Sequence, residues 1–225
     1  MKTEQTVYPR NVAAAVESQL PTAILAAMDA YGWNAYGVDE IVKAEIEKAK
    51  QLPLIDVTPE RLPHSPANLI SDAVFSECKK YRYQLRRVWN ESEPLLNVIG
   101  LNPSTADETV NDPTIRRCIS FAQDWGYGGL IMTNIFGFRA TDPKVMKAQE
   151  DPVGPDNNKW LLESAQLAMF RVCAWGTHGA HIDRGEVVKG LMEFFKIPVH
   201  CFGKTKDGHP KHPLYLPKSI QTIEY

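Results

Sequence analysis

Reactive groups are concentrated in Gly100-Leu-Asn-Pro-Ser-Thr-Ala-Asp107: the carboxamide of Asn102, the hydroxyls of Ser104 and Thr105, and the carboxylate of Asp107. A carboxamide can orient a water molecule but is a poor general base. Hydrolysis around Asn102 would therefore rest on positioning and on a good leaving group. The same residue types also suit a plain strand-to-loop turn. A second concentration is His209-Pro-Lys-His212-Pro213. Either imidazole could donate a hydrogen bond to a phosphate or a developing anion. His178 and His181, together with His209 and His212, make two His-x-x-His spacings. A metal is not expected there, because Pro210 interrupts helical geometry in the second pair and no carboxylate ligand accompanies either pair.

Arg116, Arg117, Arg139 and Lys204 fall in or near the same loops, with Lys206 and Lys211 beside them. Such cations suit a phosphate-bearing substrate, and equally a solvated surface. Asp112 stands before Pro113, as an N-cap stands before a proline in the first helical turn. Asn134, Phe136, Trp175, Gly176 and His178 lie where further apolar runs end. The chain has no Gly-x-x-x-x-Gly-Lys-Ser/Thr loop, no Gly-x-Gly-x-x-Gly and no Gly-x-Ser-x-Gly elbow. The usual signatures of ATP-dependent, dinucleotide and serine-hydrolase chemistry are thus missing, and no cofactor is implied.

These residues need a scaffold, and the periodicity supplies one. Leu95–Gly100, Gly129–Phe136, Met169–Gly176 and Val199–Gly203 read as strands. Between them, helices are expected from Asp112 with the apolar face Ile115, Cys118, Ile119, Ala122 and Trp125, over Trp160–Leu167, and over Arg184–Lys196. Alternating strands and helices imply an α/β fold: a three-layer α/β/α arrangement around a central, mainly parallel four-stranded sheet. Phe75–Trp89 reads as a hairpin, with Tyr81, Tyr83 and Leu85 alternating against charges. Residues 1–70 read as a helical N-terminal extension and linker: helical stripes run through Val12–Met28 and Val38–Ala49, followed by the prolines 53, 59, 63 and 66. Residues 71–225 form the α/β domain. In such sheets, ligands bind outside the carboxyl ends of the strands. The segments leaving those ends carry Asn102, Ser104 and Thr105; Asn134 and Phe136; Trp175, Gly176 and His178; and Lys204 through His212.

Composition sets wider bounds. Among the 225 residues, 44% are hydrophobic and 23% charged, with a formal net charge of -2, so no bulk basic field recruits nucleic acid. No apolar run is long enough to span a membrane, and the polar start Met1–Gln5 lacks a signal peptide's apolar core. The cysteines 78, 118, 173 and 201 are widely spaced, which reads as buried free thiols in a reducing cytoplasm.

From about Ala73 to Leu216 the chain resembles an uncharacterised bacterial and phage family, domain of unknown function 1643. The resemblance rests on Tyr81-Arg-Tyr83, Leu101-Asn-Pro-Ser-Thr-Ala-Asp107, Asn111-Asp-Pro-Thr-Ile-Arg-Arg117, Trp125-Gly-Tyr127, Arg139-Ala-Thr-Asp-Pro143, Asp151-Pro-Val-Gly-Pro155, Ala174-Trp-Gly176 and His209-Pro-Lys-His-Pro-Leu-Tyr215. More distantly, the order of features is similar to the uracil-DNA glycosylase superfamily. Gly100-Leu-Asn-Pro103, Asn134, Trp175-Gly176 and His209-Pro210 stand where that superfamily has its strand-end motifs. The likeness implies a glycosylase-like fold, with Asn102 positioning the hydrolytic water and His209 or His212 assisting the departing base. Two departures point to altered chemistry: Ser104 replaces a glycine, and the last motif reads His-Pro-Lys-His-Pro rather than His-Pro-Ser-Pro. The expected function is a nucleobase- or nucleotide-processing enzyme that hydrolyses an N-glycosidic bond, with DNA or a nucleotide as substrate. The alternatives are a transferase remodelling modified bases in phage DNA and a non-catalytic module that binds a nucleotide or modified base.

Overall fold

The computed structural model describes residues 38–51 and 70–225. The stripe expected over Val12–Met28 and the proline-rich linker lie outside the described residues. Helix α1, Val38–Lys50, coincides with the second expected stripe. Its Ile46 is buried, and its exposed Lys48 pairs with Glu45 one turn away at 2.6 Å.

From Ile70 the chain builds one sheet. Its strands are β1 Ile70–Phe75, β2 Arg82–Val88, β3 Leu95–Gly100, β4 Gly129–Asn134, β5 Phe170–Cys173, β6 His200–Cys201 and β7 Ile223–Glu224. The sheet has seven strands, in the order β1-β2-β4-β3-β5-β6-β7, rather than the four expected. The four expected strands, β4-β3-β5-β6, are mutually parallel and occupy the centre. The β1–β2 hairpin extends one side by pairing β2 antiparallel to β4, and β7 lies antiparallel to β6 on the other side.

The sequence hid these additions for physical reasons. Alternating charges made β2 read as a half-solvated hairpin arm. Yet its Arg82, Gln84 and Arg87 are all buried, because each side chain bonds a neighbouring element. Strand β7 is two residues long, and both are exposed, so it carries no apolar period.

The helices are α2 Pro113–Asp124, α3 Pro143–Lys147, α4 Asn157–Leu167 and α5 Arg184–Phe194. Successive strand residues face opposite sides of a sheet. Leu85, Leu96, Val98, Leu130, Met132 and Val172 pack on one side with Ile115, Cys118, Phe121 and Ala122 of α2. Gln84, the neighbour of Leu85, donates from Nε2 to Ser164 Oγ of α4 at 2.8 Å, so α4 serves the other side. The expected start of α2 is present: Asp112 Oδ1 accepts from Ile115 N at 2.8 Å, and Pro113 opens the helix. Cys118, Cys173 and Cys201 are buried as expected, whereas Cys78 is exposed on the β1–β2 turn, which corrects the buried-thiol reading for that residue. Among the described residues, no helix is long and apolar enough to cross a membrane.

Candidate functional site

The loops that leave the carboxyl ends of the parallel strands are tied to one another in sequence. Beyond Gly100 the β3–β4 ladder continues into the loops: Ile135 N donates to Gly100 O and Phe136 N to Leu101 O, both at 2.9 Å. At Gly100 a Cβ would lie 2.8 Å from Asn134 Oδ1 and 2.5 Å from Met132 Cε, so any larger residue would push these two side-chain ends aside. Asn102 then spans the gap, its Nδ2 donating to Ala140 O at 2.7 Å and to Pro103 O at 3.1 Å, while Ala140 N returns a bond to Pro103 O at 2.9 Å. With both amide hydrogens committed, the carboxamide is fixed in orientation and its Oδ1 is left as an acceptor without a hydrogen-bond partner among the described residues. Ser104 Oγ lies 3.4 Å from Thr141 Oγ1 across the same seam.

Two arginines of β2 hold this loop from behind. Arg82 Nη1 donates to Ala106 O at 2.6 Å, and Arg87 bonds Asp107 O at 2.5 Å and Asn111 Oδ1 at 2.9 Å. Burial pushes the Arg82 guanidinium down to about 10, with Asp112 opposing and Arg139 adding to the shift. Sequence reasoning missed both residues. Their only signal was a pair of positive charges in a strand that otherwise faces a core.

The β3 and β4 loops enclose a shallow, open cavity of about 530 Å³ together with the β1–β2 turn. Lys79, Lys80 and Arg139 line it with the hydroxyls of Ser104, Thr105 and Thr141. Lys79 Nζ and the Arg139 guanidinium lie 4.9 Å and 4.8 Å from the centre of the same Phe75 ring, and Arg139 Nη1 donates to Lys79 O at 3.3 Å. Lys79, Lys80 and Thr141 were not anticipated from sequence. The turn that bears the lysines became relevant only once β2 was placed beside β4.

The β5 and β6 loops form the other side. Gly176 occupies φ 70°, ψ -172°, and its N–H donates to Pro210 O at 2.8 Å. Trp175 is buried, and Gly179 and Gly185 lie flat on its indole, where a Cβ would come within 2.1 Å and 2.9 Å of ring atoms. The segment 203–211 folds back on itself: Thr205 N donates to His209 O at 2.7 Å, Lys211 N donates to Gly203 O at 2.9 Å, and Gly208 turns at φ 83°. His209 N is held by Thr205 Oγ1 at 3.2 Å. His212 follows, with its Cβ 3.8 Å from where a Cβ on Gly176 would lie. Desolvation by these loops lowers the His212 imidazole below its ordinary 6.5, with Asp112 opposing, so the ring is neutral at pH 7. His178 is lowered too, by burial first and then by Lys147, whose Nζ donates to His178 Nδ1 at 3.2 Å.

The four expected segments therefore close into a ring. Asn102 with Ala140 joins the β3 and β4 loops, and Lys147 with His178 joins β4 and β5. Gly176 with Pro210 joins β5 and β6, and Arg117 of α2, bonding Leu216 O, ties the segment after β6 back to the helix that follows β3. Other expected site residues have structural partners. Asp107 Oδ1 caps the turn through Thr109 N and Val110 N at 2.8 Å each, and Asp112 caps α2. Arg116 bonds Asn111 O, and Arg117 bonds Leu216 O with its guanidinium over Phe121. Asn134 and Phe136 are buried, Phe136 lies 5.8 Å from the His181 ring, and Lys204 lies over Tyr225.

The family described as Protein of unknown function (DUF1643) matches residues 82–214, a span that includes every strand-end loop of this ring. No curated protein and no solved structure matches the chain.

Proposed function

Given that the chain belongs to the DUF1643 family, whose description assigns no activity, we propose from the geometry that it is a nucleobase- or nucleotide-processing enzyme that hydrolyses an N-glycosidic bond. One observation carries this reading: the Asn102 carboxamide is locked by two backbone carbonyls, which leaves Oδ1 as a fixed acceptor on the loop whose Ser104 and Thr105 line a cationic groove. An acceptor of this kind binds one hydrogen of a water molecule and so directs the water's lone pair at a carbon held opposite. The water oxygen bonds C1′ as the C1′–N bond breaks. The bonding pair leaves with the base, and the proton lost by the water ends on the base nitrogen. His212, neutral at pH 7, or His209 donates a hydrogen bond to the departing base. A uracil-DNA glycosylase-like arrangement of the loops belongs to the same proposal. It is supported by the order Gly100-Leu-Asn-Pro103, Asn134, Trp175-Gly176, His209-Pro210 along the parallel strands.

A second reading is a binding module for a nucleotide or modified base. It is favoured by the partners of Asn102, which are backbone carbonyls only, with no carboxylate or imidazole among the described residues bonded to it. Chromatographic assay for free base separates the two, using nucleotides and oligonucleotides carrying uracil, mismatches or modified bases. Release of base with an equimolar free sugar hydroxyl at C1′ supports hydrolysis. Saturable binding without release supports the module.

A further inference from the structure

Lys79, Lys80 and Arg139 crowd one groove, and none of them forms an ion pair with a carboxylate among the described residues. Like charges gathered without a counter-ion repel one another, and a protein gains from that arrangement when an anion completes it. The groove is built to keep the charges there. Lys79 sits at φ 58°, a left-handed conformation uncommon for a side-chain-bearing residue, stabilised by its N–H donating to Ser76 O at 2.9 Å. Its carbonyl accepts from Arg139, and both cations rest on Phe75. Arg139 N donates to Lys80 O at 3.0 Å, which pins the turn to the β4 loop. Ser104, Thr105 and Thr141 add hydroxyl donors to the lining. Three cations and three hydroxyls around one open cavity match the oxygens of a phosphate group.

The distribution of charge over the rest of the molecule distinguishes a small phosphate ester from a polymer. A duplex or long single strand is held by a track of cations, several phosphates at a time. Here 25 Lys and Arg stand against 27 Asp and Glu. Other rim cations have their own partners: Arg116 and Arg117 bond backbone carbonyls, Lys147 bonds His178, and Lys204 lies over Tyr225. The cations lining the groove are Lys79, Lys80 and Arg139, a cluster rather than a track. It is also adjacent to the proposed reacting centre, because Ala140, which accepts from Asn102, lines the groove.

We propose that the groove between the Lys79–Lys80 turn and the Ser104–Thr105 and Arg139–Thr141 loops is the phosphate subsite of a free nucleotide, whose base end lies toward Asn102. This rests on the function proposed above for its base end, though not for the phosphate site itself. The test uses the full chain and calorimetric titration with nucleoside 5′-mono- and triphosphates, the matching nucleosides, inorganic phosphate, and single- and double-stranded oligonucleotides at two salt concentrations. Nucleotides should bind at least about tenfold more tightly than nucleosides, the gain of one charge-assisted contact. Lys80→Gln and Arg139→Gln should each remove roughly that factor for nucleotides and leave nucleoside binding unchanged. Unfolding midpoints should confirm that both variants fold. Equal affinity for nucleotide and nucleoside, no nucleotide binding, or variants that bind nucleotide normally would each overturn the proposal. So would oligonucleotides that bind more tightly than nucleotides with a steep salt dependence. Phosphate-dependent nucleotide binding without base release would leave the subsite standing and remove the hydrolytic reading. Base release from nucleosides and nucleotides alike would do the reverse.

Discussion

Arg82 offers a quantitative test of how the Asn102 loop is held. Among the described residues, the 2% exposed side chain makes one hydrogen bond, from Nη1 to Ala106 O, and its Nε is buried without a partner. Depression of the guanidinium from 12.5 to about 10 corresponds to about 3 kcal/mol against the charged form, at roughly 1.4 kcal/mol per tenfold in proton affinity. Against this stands the bond to Ala106 O, whose loss strands a buried carbonyl at a cost of about 1–3 kcal/mol. In Arg82→Met these two effects nearly cancel, and the apolar stem remains. The variant is expected within about 1 kcal/mol of the wild type, in line with the tolerance of buried ionic groups to apolar replacement. Arg82→Ala also loses two buried methylenes, about 1.6 kcal/mol at ~0.8 kcal/mol each, and leaves a cavity. It should therefore be about 2 kcal/mol or more less stable than Arg82→Met. Urea unfolding at pH 7, followed by tryptophan fluorescence, measures both on one scale. If Arg82→Met proves as damaging as Arg82→Ala, the buried charge itself supports the fold and the reasoning fails. Both variants should weaken nucleotide binding, because both release the backbone of Ala106.

Further outcomes follow from the other walls of the ring. Gly176→Ala should cost about 1–3 kcal/mol from strain alone, since φ 70°, ψ -172° is a glycine conformation and the nearest atom to the new Cβ, at 3.8 Å, leaves room for it; thermal unfolding reads the loss. His212 binds its proton less readily when folded than its ordinary 6.5. The unfolded state therefore takes up more protons as pH falls below that value, and stability declines there. His212→Gln should flatten the decline below pH 6.5 in chemical unfolding curves. Cys78 is exposed, and its thiol is held below the ordinary 9.0, by the Ser76 hydroxyl first and with help from Lys80. Native protein should thus titrate one fast thiol with a maleimide, at Cys78, while the buried Cys118, Cys173 and Cys201 react only after unfolding; mass spectrometry identifies the site.

The central strands and the four loops were legible because each strand lies in a mostly apolar run that ends near a turn-forming residue, as those at Gly100 and Gly176 do. The start of α2 was legible in Asp112-Pro113, where the cap chemistry is local. The side of the sheet beyond β4 was not. Arg82 and Arg87 are buried by long-range bonds to Ala106 O and Asp107 O, and a single strand's pattern carries no information about such partners. For the same reason the cationic groove was half seen. Arg139, Ser104 and Thr105 were expected from their strand ends, but Lys79 and Lys80 sit on a turn whose placement depends on β2 pairing with β4. Asp107, Asp112, Arg116 and Arg117 were expected in the site from their place in the loops, and their hydrogen bonds cap turns, as the N-cap reading of Asp112 expected, and fasten backbone.

The proposed chemistry turns on the Asn102 carboxamide, so Asn102→Ala is the decisive comparison, with free-base release and nucleotide binding measured on the same preparations. The hydrolytic reading predicts base release by the wild type. It further predicts a fall of roughly 10²-fold or more in the variant, the scale of losing one positioned catalytic contact, with nucleotide affinity kept within a few fold because the bonds from Ala140 N to Pro103 O and from Arg139 N to Lys80 O still hold the groove wall. No release by the wild type on any nucleotide or oligonucleotide tried, or release undiminished in Asn102→Ala, would contradict it.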